Sequence, residues 1–317
     1  NLLLTDLKEI DLNDLLDRKL NIDHSGIKQI INNKVILITG AGGSIGSEIC
    51  RQIVLLNPRK LILLDNSEFN LYSINNKLLQ IVKENKLNSI IHPHLTSVNN
   101  KTMLEIPFKK FKPSIVFHAA AFKHVALVET NIFESFQNNF IGSLNVLEFC
   151  TNYEVEKLIY ISSDKAVNPS SIMGGTKKLT ERLYVSHDKG LFKNKNFITD
   201  ISIVRFGNVL ASSGSIIPLF SEQIKSGGPL TITHPDVTRY FMTIPEAVGL
   251  VLQASRIKKN KGNIFILNMG KPIKILDIAK KMVNFYGLRI DDNTVNNKKN
   301  SIKNQYIGLK QGEKLHE

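Results

Sequence analysis

The chain has 317 residues, of which 42% are hydrophobic and 22% are charged, a balance typical of a soluble globular protein. No apolar run approaches the roughly 18 residues that a membrane-spanning helix needs, so we expect no span within it. The formal net charge of +13 would suit a nucleic acid, an anionic membrane surface or a phosphorylated substrate. Because the lysines are scattered without interleaved aromatic residues, we predict a solvated basic surface and no nucleic-acid partner.

The two cysteines and the start of the chain carry further expectations. Cys50 and Cys150 fall in apolar helical patterns without the spacing of metal ligands, which indicates buried, reduced thiols and no metal site. The sequence begins at Asn1 without an initiator Met or a signal-peptide pattern, so we expect a fragment of a longer protein. Residues 1–33 carry apolar residues at helical spacing and predict an amphipathic helical leader.

A strand and a glycine-rich turn follow the leader. The apolar stretch 34–39 runs into Gly40-Ala-Gly-Gly-Ser-Ile-Gly46, which opens a helix. Glycines at this spacing allow a tight turn and a close approach of the backbone to a pyrophosphate, whose charge the helix N-terminus attracts. The candidates for cofactor binding in this turn are Gly40, Gly43, Ser44, Ile45 and Gly46.

An acidic residue gives the glycine turn its context. A second strand, Lys60 to Leu64, ends in Asp65, about twenty residues past the last glycine, where an acid binds an adenosine ribose hydroxyl. The glycine pattern by itself would also fit an ordinary turn between a strand and a helix. The two features together predict a nicotinamide dinucleotide, NAD(P)+, and Asp65 slightly favours NAD.

Strands and helices continue to alternate along the next hundred residues. We predict a helix over Phe69–Lys86, strands over Ile90–Leu95 and Ile115–His118, and a long helix over Glu134–Tyr153 that carries Asn138 and Asn139. This alternation predicts an α/β fold, a Rossmann-type doubly wound parallel sheet.

The segment after His118 begins with small residues. Ala119 and Ala120 let the backbone lie close against a flat ligand, so both are candidates for the cofactor site. For Lys123 and His124, a role in capping a helix or at the surface is as good an interpretation as contact with a substrate.

Ionisable residues cluster after the next strand, Leu158 to Ile161. Ser163, Asp164 and Lys165 lie just past its end, after Ser162, at the carboxyl edge of the sheet, where open α/β sheets bind ligands. We predict an active site here, and the structural alternative for Asp164 and Lys165 is an ion pair at a strand end.

A helix that begins near Gly174 and runs to about His187 would carry two more candidates. Met173 and Lys177 are four residues apart, which places both on one helical face turned toward the strand end. The alternative for Met173 is plain core packing.

From residue 207 a polar segment breaks the alternation and begins a smaller lobe. We predict a strand over Ile198–Phe206 before it, and after it a loop over His234–Met242, a helix over Ile244–Ser255, a strand over Ile264–Leu267, a helix over Ile273–Tyr286 and a mobile loop over 291–304. Arg239, a single arginine in a loop, suits a diphosphate bidentately or is a surface residue. Asn208 and Glu313 are further substrate-side candidates.

These elements predict three parts. Residues 1–33 form the leader, 34–206 the NAD(P)-binding domain, and 207–317 an interleaved C-terminal substrate lobe, from which about 244–257 return to the first domain.

The glycine turn, the strand-end serine and Lys177 resemble the extended short-chain dehydrogenase/reductase superfamily. Further stretches resemble its bacterial UDP-N-acetylglucosamine 4,6-dehydratases of capsule and O-antigen synthesis: Ser163-Asp-Lys-Ala-Val-Asn-Pro169, Met173-Gly174, Thr176-Lys177, His118–Val125, Arg205–Asn208, Thr238–Thr243 and Gly312–Leu315. Met173, where most of the superfamily has tyrosine, and Ser212-Ser213-Gly214 resemble the long, membrane-anchored branch. The chain departs from the family at Gly175, Ala211 and Lys310-Gln311, which affects local loop geometry.

The resemblance implies a cycle in which tightly bound NAD(P)+ takes hydride from C4 of UDP-N-acetylglucosamine, water is eliminated, and the hydride returns to C6. It implies that Lys165 removes the C5 proton and Asp164 protonates the leaving C6 hydroxyl. Ser163 and Lys177 would hold the C4 hydroxyl and the nicotinamide ribose, and the configuration at C5 would be retained. It also implies a homo-oligomer, and a missing N-terminal region that anchors the full-length protein on the cytoplasmic side of the inner membrane.

Other activities share the cofactor lobe. An alcohol dehydrogenase or a UDP-sugar 4-epimerase would need no Asp-Lys pair beside C4, and the missing tyrosine at Met173 leaves a non-catalytic nucleotide-binding module as a further alternative. Released NADH would indicate the dehydrogenase, and a product with an intact 6-hydroxyl would indicate the epimerase.

Overall fold

The structure is a computed structural model, and it describes residues 22–191, 199–257, 262–291 and 300–317. Within these residues the chain forms two compact units. The larger unit contains residues up to Phe206 together with Pro245–Asn268, and the smaller contains Gly207–Ile244 and Met269–Glu317.

The strands, in chain order, are β1 (Val35–Thr39), β2 (Lys60–Asp65), β3 (Ile90–Leu95), β4 (Ile115–His118), β5 (Lys157–Ile161), β6 (Asp200–Arg205), β7 (Asn208–Val209), β8 (Leu230–Ile232), β9 (Thr238–Arg239), β10 (Phe241–Met242), β11 (Ile264–Ile266), β12 (Ile273–Lys274), β13 (Arg289–Asp291) and β14 (Ser301–Tyr306). The helices are α1 (His24–Ile31), α2 (Ser44–Val54), α3 (Glu68–Glu84), α4 (Lys101–Phe111), α5 (Val125–Thr130), α6 (Ile132–Phe136), α7 (Gly142–Asn152), α8 (Ile172–Asp188), α9 (Ile216–Lys225), α10 (Ile244–Arg256) and α11 (Ile275–Phe285). A π turn covers Gln137–Ile141, and a 3-10 turn covers Asp164–Ala166.

A seven-stranded sheet forms the centre of the larger unit, in the order β11-β6-β5-β4-β1-β2-β3. All of its pairings are parallel, and β1 and β4 are buried at every position. Strands buried on both faces have continuous apolar sequences, which is why they could be predicted. The predicted Rossmann-type α/β fold is confirmed. Because β1 lies between β2 and β4, the strand order reverses there, and the crevice at the carboxyl ends of β1 and β4 is where such sheets bind ligands.

Helix α4 was not predicted from the sequence. Pro107 lies inside it and Lys109 and Lys110 occupy its last turn, which obscures the helical pattern. Its apolar side still packs into the core through buried residues such as Phe108. Asn100 caps the first turn by accepting the N–H of Met103 at 3.1 Å.

The long helix predicted over Glu134–Tyr153 is interrupted. The π turn separates α6 from α7 and buries Asn138 and Asn139. A π turn holds an extra residue, so it turns the following side chains to a different side of the helix. Gly142 follows it directly, and a Cβ there would lie 2.5 Å from Cγ2 of Val98. A side chain at position 142 would therefore clash with Val98 unless one of the two shifted.

The smaller unit is built from short strands around its own core. β7 pairs with β10 in parallel, β9 with β12 antiparallel, and β13, β14 and β8 form a parallel three-stranded sheet. Its buried core includes Phe220 of α9, Phe241 of β10 and Met282 of α11.

Several sequence expectations need correction in this unit. The loop predicted over 291–304 is wrong at its C-terminal end, because β14 begins at Ser301, and residues 292–299 lie outside the described residues. The loop predicted over His234–Met242 contains β9 and β10. Strands of two residues have no readable alternation, and the lysine- and asparagine-rich composition hid the start of β14.

The larger unit also differs from expectation at its edges. Strand β11 pairs with β6, so the returning segment extends to Asn268 rather than to about 257. Of the leader, the structure describes α1, and residues 1–21 lie outside the described residues. Within the described ranges, no helix combines the length and the apolar character that crossing a membrane requires. Cys50 and Cys150 are buried free thiols, as predicted.

Candidate active site

The glycine turn after β1 is as tight as its sequence indicates. Gly40 has φ of 65°, and a Cβ there would lie 2.7 Å from the backbone nitrogen of Ala120. A Cβ at Gly46 would collide with the carbonyl oxygen of Gly40. The N–H of Gly43 donates to the same carbonyl at 3.1 Å, and α2 begins at Ser44. Ile45 follows in the first turn of that helix, whose N-terminus suits an anion.

Asp65 lies beside this turn. One carboxylate oxygen accepts the N–H of Gly42 at 2.8 Å and the other accepts the N–H of Ser67 at 2.9 Å. Each carboxylate oxygen has two acceptor positions, so both keep capacity for a ribose hydroxyl. The residues at this edge therefore fit a dinucleotide, with glycines where the backbone must approach and a fixed acid at the end of β2.

Ala119 and Ala120 continue from β4 toward the glycine turn. The N–H of Ala119 donates to the carbonyl of Thr39 at 3.2 Å, and the N–H of Ala120 donates to the Thr39 hydroxyl at 3.3 Å. Lys123 and His124 follow and are exposed. His124 occupies the N-cap position of α5, but its side chain makes no capping hydrogen bond.

Ser163, Asp164 and Lys165 form one cluster at the carboxyl end of β5. Asp164 Oδ1 accepts from the Ser163 hydroxyl at 2.9 Å and from Lys165 Nζ at 3.1 Å. The Asp164 side chain is 9% exposed and that of Lys165 is 20% exposed. Among the described residues, nothing hydrogen-bonds to the buried second oxygen of Asp164, Oδ2. A buried carboxylate oxygen with remaining acceptor capacity is suited to contact a substrate.

Lys177 and Met173 reach the same region from α8. This helix begins at Ile172, where the Ser171 hydroxyl accepts the N–H of Gly174 at 3.1 Å. Lys177 Nζ donates to the carbonyl of Ile161 at 2.8 Å, so it lies at the end of β5 as predicted.

The buried environment of Lys177 lowers the pKa of its amine. Its Nζ lies 4.7 Å from the centre of the Tyr160 ring, and the side chain is almost fully buried. Burial lowers the pKa of Lys177 to about 8, while the charge of Glu181 opposes this shift. Met173 is 3% exposed, and its thioether has no proton to exchange.

Two groups of supporting residues were not predicted. Glu181, one turn after Lys177 on α8, is buried and accepts from the Ser162 hydroxyl and from Nε and Nη2 of Arg205. Its spacing of four residues from Lys177 on a predicted helix was the available signal.

Asn139, in the π turn, is the second. Its side chain accepts the N–H of Phe122 at 2.7 Å and donates to the carbonyl of Phe122 at 3.0 Å and to the Thr176 hydroxyl at 3.2 Å. It thereby ties the segment after β4 to α8. No pattern along the chain indicates the π turn that makes this contact possible.

The remaining candidates belong to the smaller unit. Arg239 donates from Nη1 to the carbonyls of Thr238 and Leu315, and from Nη2 to the carbonyl of Lys314 and to Glu313 Oε1 at 3.2 Å. Four of its five N–H groups are thus engaged by the chain itself. In this structure Arg239 holds the segment 313–315, and it does not present an open fork to a diphosphate. Asn208 lies in β7, where its N–H donates to the carbonyl of Tyr240.

Comparisons with known proteins assign the chain to a family. The family model described as "Polysaccharide biosynthesis protein" matches residues 36–317. The chain belongs to this family. The predicted resemblance to polysaccharide-biosynthesis members of the extended short-chain dehydrogenase/reductase superfamily is thereby confirmed.

Individual relatives are consistent with this family. Over 312 residues the chain is 46% identical to the capsular polysaccharide biosynthesis protein CapD of Staphylococcus aureus and 41% identical to the probable polysaccharide biosynthesis protein EpsC of Bacillus subtilis. Each match covers 98% of this chain and 49% of the relative, so the chain spans about half the length of these relatives. It is also 33% identical over 285 residues to a UDP-glucose 4-epimerase of Rickettsia bellii, covering 90% of this chain and 77% of the relative.

Solved structures share the fold. Pen from Bacillus thuringiensis is 31% identical with a TM-score of 0.78, covering 90% of this chain and 82% of that one. The UDP-glucose 4-epimerase of Thermus thermophilus, solved in complex with NAD, is 18% identical with a TM-score of 0.71, covering 89% of this chain and 88% of that one. At that identity the likeness concerns the fold alone.

Proposed function

We propose that the chain is an NAD(P)-dependent nucleotide-sugar 4,6-dehydratase that converts UDP-N-acetylglucosamine to a 4-keto-6-deoxy product. The observation that carries this proposal is the pair of Asp164 and Lys165 at the end of β5. Lys165 Nζ lies 3.1 Å from Oδ1 of Asp164, and the other carboxylate oxygen, Oδ2, is buried. An acid and a base adjacent to one another suit an elimination, in which one proton is removed and another is delivered nearby. Membership in a polysaccharide biosynthesis family supports the substrate class.

The glycine turn, Asp65 and the alanines after β4 would hold the dinucleotide. When bound, it supplies a hydride acceptor for C4 of the hexose and later a donor for C6. Lys177 would bind the nicotinamide ribose, since its Nζ uses one donor on Ile161 and keeps two. The dinucleotide would be NAD or NADP, and Asp65 at the end of β2 slightly favours NAD.

Lys165 and Asp164 would carry out the elimination. A ketone at C4 makes the C5 proton acidic enough for an amine to remove. Lys165, as the neutral amine, takes that proton, and Asp164 gives a proton to the C6 hydroxyl, which leaves as water. After C6 has been reduced, Lys165 would return its proton to C5, so that both side chains end in their starting protonation states. Ser163, which donates to Asp164 at 2.9 Å, holds the C4 hydroxyl beside the same carboxylate.

The oxidation at C4 requires a group that takes the hydroxyl proton. Met173 stands where tyrosine is usual in the superfamily, and a thioether is only a weak acceptor without a proton. We propose that Asp164 takes the C4 proton and later delivers it to the C6 oxygen, so that one carboxylate serves both steps.

Substrate contacts outside this cluster are also proposals. Lys123, His124 and Asn208 are candidates for the sugar nucleotide. For Arg239 to bind the diphosphate, it would have to exchange its contact with Glu313 for a phosphate oxygen. The membrane-anchored N-terminal region, the cytoplasmic-side location of the full-length protein and the homo-oligomer remain predictions of the resemblance.

A proton NMR time course with UDP-N-acetylglucosamine and no added cofactor tests this function. We expect a new C6 methyl signal and no stoichiometric NADH, because the hydride is recycled within one active site. A product that keeps its 6-hydroxyl, or NADH equal to the product, would contradict the dehydratase.

A UDP-hexosamine 4-epimerase is the second candidate function. The likeness to the Rickettsia bellii protein, which is named a UDP-glucose 4-epimerase, favours it. An epimerase would invert C4 and leave C6 unchanged, so the same time course distinguishes the two.

A further inference from the structure

A chain of buried hydrogen bonds runs through His118, the last residue of β4. Its Nδ1 lies 2.7 Å from the hydroxyl of Thr39, and its Nε2 lies 2.8 Å from the hydroxyl of Ser143. The Thr39 hydroxyl also accepts the N–H of Ala120, and the Ser143 hydroxyl donates to the carbonyl of Asn139. Thr39, His118, Asn139 and Ser143 are each at most 1% exposed, so water does not compete for these groups.

The contacts fix the direction of each hydrogen bond. The Ser143 hydroxyl has one proton, and it donates this proton in a hydrogen bond to the carbonyl of Asn139. Toward His118 the same hydroxyl is therefore the acceptor. Nε2 of His118 must therefore carry a proton. Nδ1 then accepts from the Thr39 hydroxyl, because a neutral imidazole has one donor and one acceptor. With a cationic ring, the Thr39 hydroxyl would have to accept from both Nδ1 and Ala120, and its own proton would find no acceptor among the described residues.

Burial and the charge of Lys177 also oppose a positive charge on His118. The imidazole lies 5.6 Å from the centre of the Tyr160 ring, which in turn contacts Tyr184 at 5.0 Å and Lys177 Nζ at 4.7 Å. Burial, together with the charge of Lys177, lowers the pKa of His118 to about 3. The ring is thus neutral at physiological pH, in agreement with the hydrogen-bond directions.

We propose that His118 is a positioning residue, whose neutral Nε2–H imidazole joins the glycine turn, the Ala119–His124 segment and the π turn into one unit that binds the dinucleotide. Thr39 immediately precedes Gly40 and holds Ala120, the residue that lies against Gly40. At the other end, Asn139 binds Phe122 and Thr176, so the chain continues to α8 and to Lys177. The inference rests on the proposed cofactor but not on the sugar reaction.

The first test is the state of the ring in the intact wild-type chain. Nitrogen-15 NMR of histidine-labelled protein should show His118 neutral, protonated on Nε2, and unchanged from pH 7 to about pH 5. The assignment comes from comparison with His118→Gln. A ring protonated on Nδ1, or one that titrates near its ordinary pKa of 6.5, would overturn the inference.

The second test removes the hydrogen-bond partner of His118 on each side of its ring. Thr39→Val and Ser143→Ala should each weaken the affinity for NAD+, measured by calorimetry, by about 5-fold to 10-fold, as expected for one buried hydrogen bond. The double variant should lose little more NAD+ affinity than either single variant, because both substitutions interrupt the same series of hydrogen bonds through His118.

Thr151→Val is the matched control. It removes a Thr–His contact, Thr151 to His187 at 3.4 Å, at the far end of α7, and should leave NAD+ affinity within about twofold. The inference is wrong if Thr39→Val keeps NAD+ affinity within about twofold, as the control does, while its melting curve stays cooperative. It is also wrong if the affinity losses of Thr39→Val and Ser143→Ala add in the double variant. A variant effect on NAD+ binding without any dehydratase turnover would support His118 and contradict the proposed sugar chemistry.

Discussion

The side-chain amine of Lys165, just past the end of β5, is the group that we propose removes the C5 proton. Lys165→Ala should lower product formation by about 10²-fold or more, since it removes the proposed base, while sugar-nucleotide binding persists. Lys157→Ala is the matched control. Lys157 also makes an ion pair, with Asp200, but it lies at the start of β5, at the other end of the strand from Lys165. Near-normal turnover in Lys165→Ala, measured by NMR, would show that another group takes the C5 proton.

Asp164 and Met173 separate oxidation from elimination. Asp164→Asn is nearly isosteric but has no exchangeable acid, so it should block formation of reduced cofactor as well as loss of water. Met173→Ala should keep substantial activity, because the thioether takes no part in proton transfer. The measurement is a single-turnover assay of absorbance near 340 nm, the usual band of reduced nicotinamide. Reduced cofactor formed at the normal rate by Asp164→Asn would instead make Lys177 the better candidate.

Two neighbouring glycines in α8 give a prediction about this helix. A Cβ at Gly175 meets nothing within 4 Å, whereas a Cβ at Gly174 would collide with the carbonyl oxygen of Lys165. Gly175→Ala should therefore stabilise the protein by about 0.5–1 kcal/mol without loss of activity, because alanine favours a helix. Gly174→Ala should destabilise it and lower turnover, since the collision displaces the 3-10 turn that carries the proposed acid and base, Asp164 and Lys165. Urea unfolding checks both, and equal effects of the two variants would contradict this packing.

The elements that could be predicted are those whose pattern is local. The apolar runs of β1, β2 and β5, the glycine turn and Asp65 lie where the sequence indicates, because burial on both faces and a tight turn each leave a short signature. The π turn was missed, since one extra residue in a helix barely changes its apolar pattern. The partners of Arg239 were missed because they lie about seventy-five residues away along the chain.

At the scale of the whole molecule, the state of His118 predicts how stability changes with pH. The folded chain keeps this ring neutral to about pH 3, whereas the unfolded chain protonates it below its ordinary value of 6.5. The unfolded state therefore binds more protons in this range, and acidification favours unfolding. The stability advantage of wild type over His118→Gln should shrink by about 1 kcal/mol per pH unit from pH 6 to pH 4. A difference that stays constant in urea unfolding would contradict a buried neutral ring.

The proposed reaction moves one hydrogen from C4 to C6 within a single hexose, and isotope labelling follows that transfer directly. UDP-N-acetylglucosamine carrying deuterium at C4 should give a 4-keto product whose C6 methyl group carries one deuterium, as measured by mass spectrometry and proton NMR. That result is expected because a tightly bound nicotinamide cofactor would accept the hydrogen of C4 as hydride and give the same hydride to C6. A product that retains its C6 hydroxyl, or a C6 methyl group without deuterium, would contradict the proposed 4,6-dehydratase.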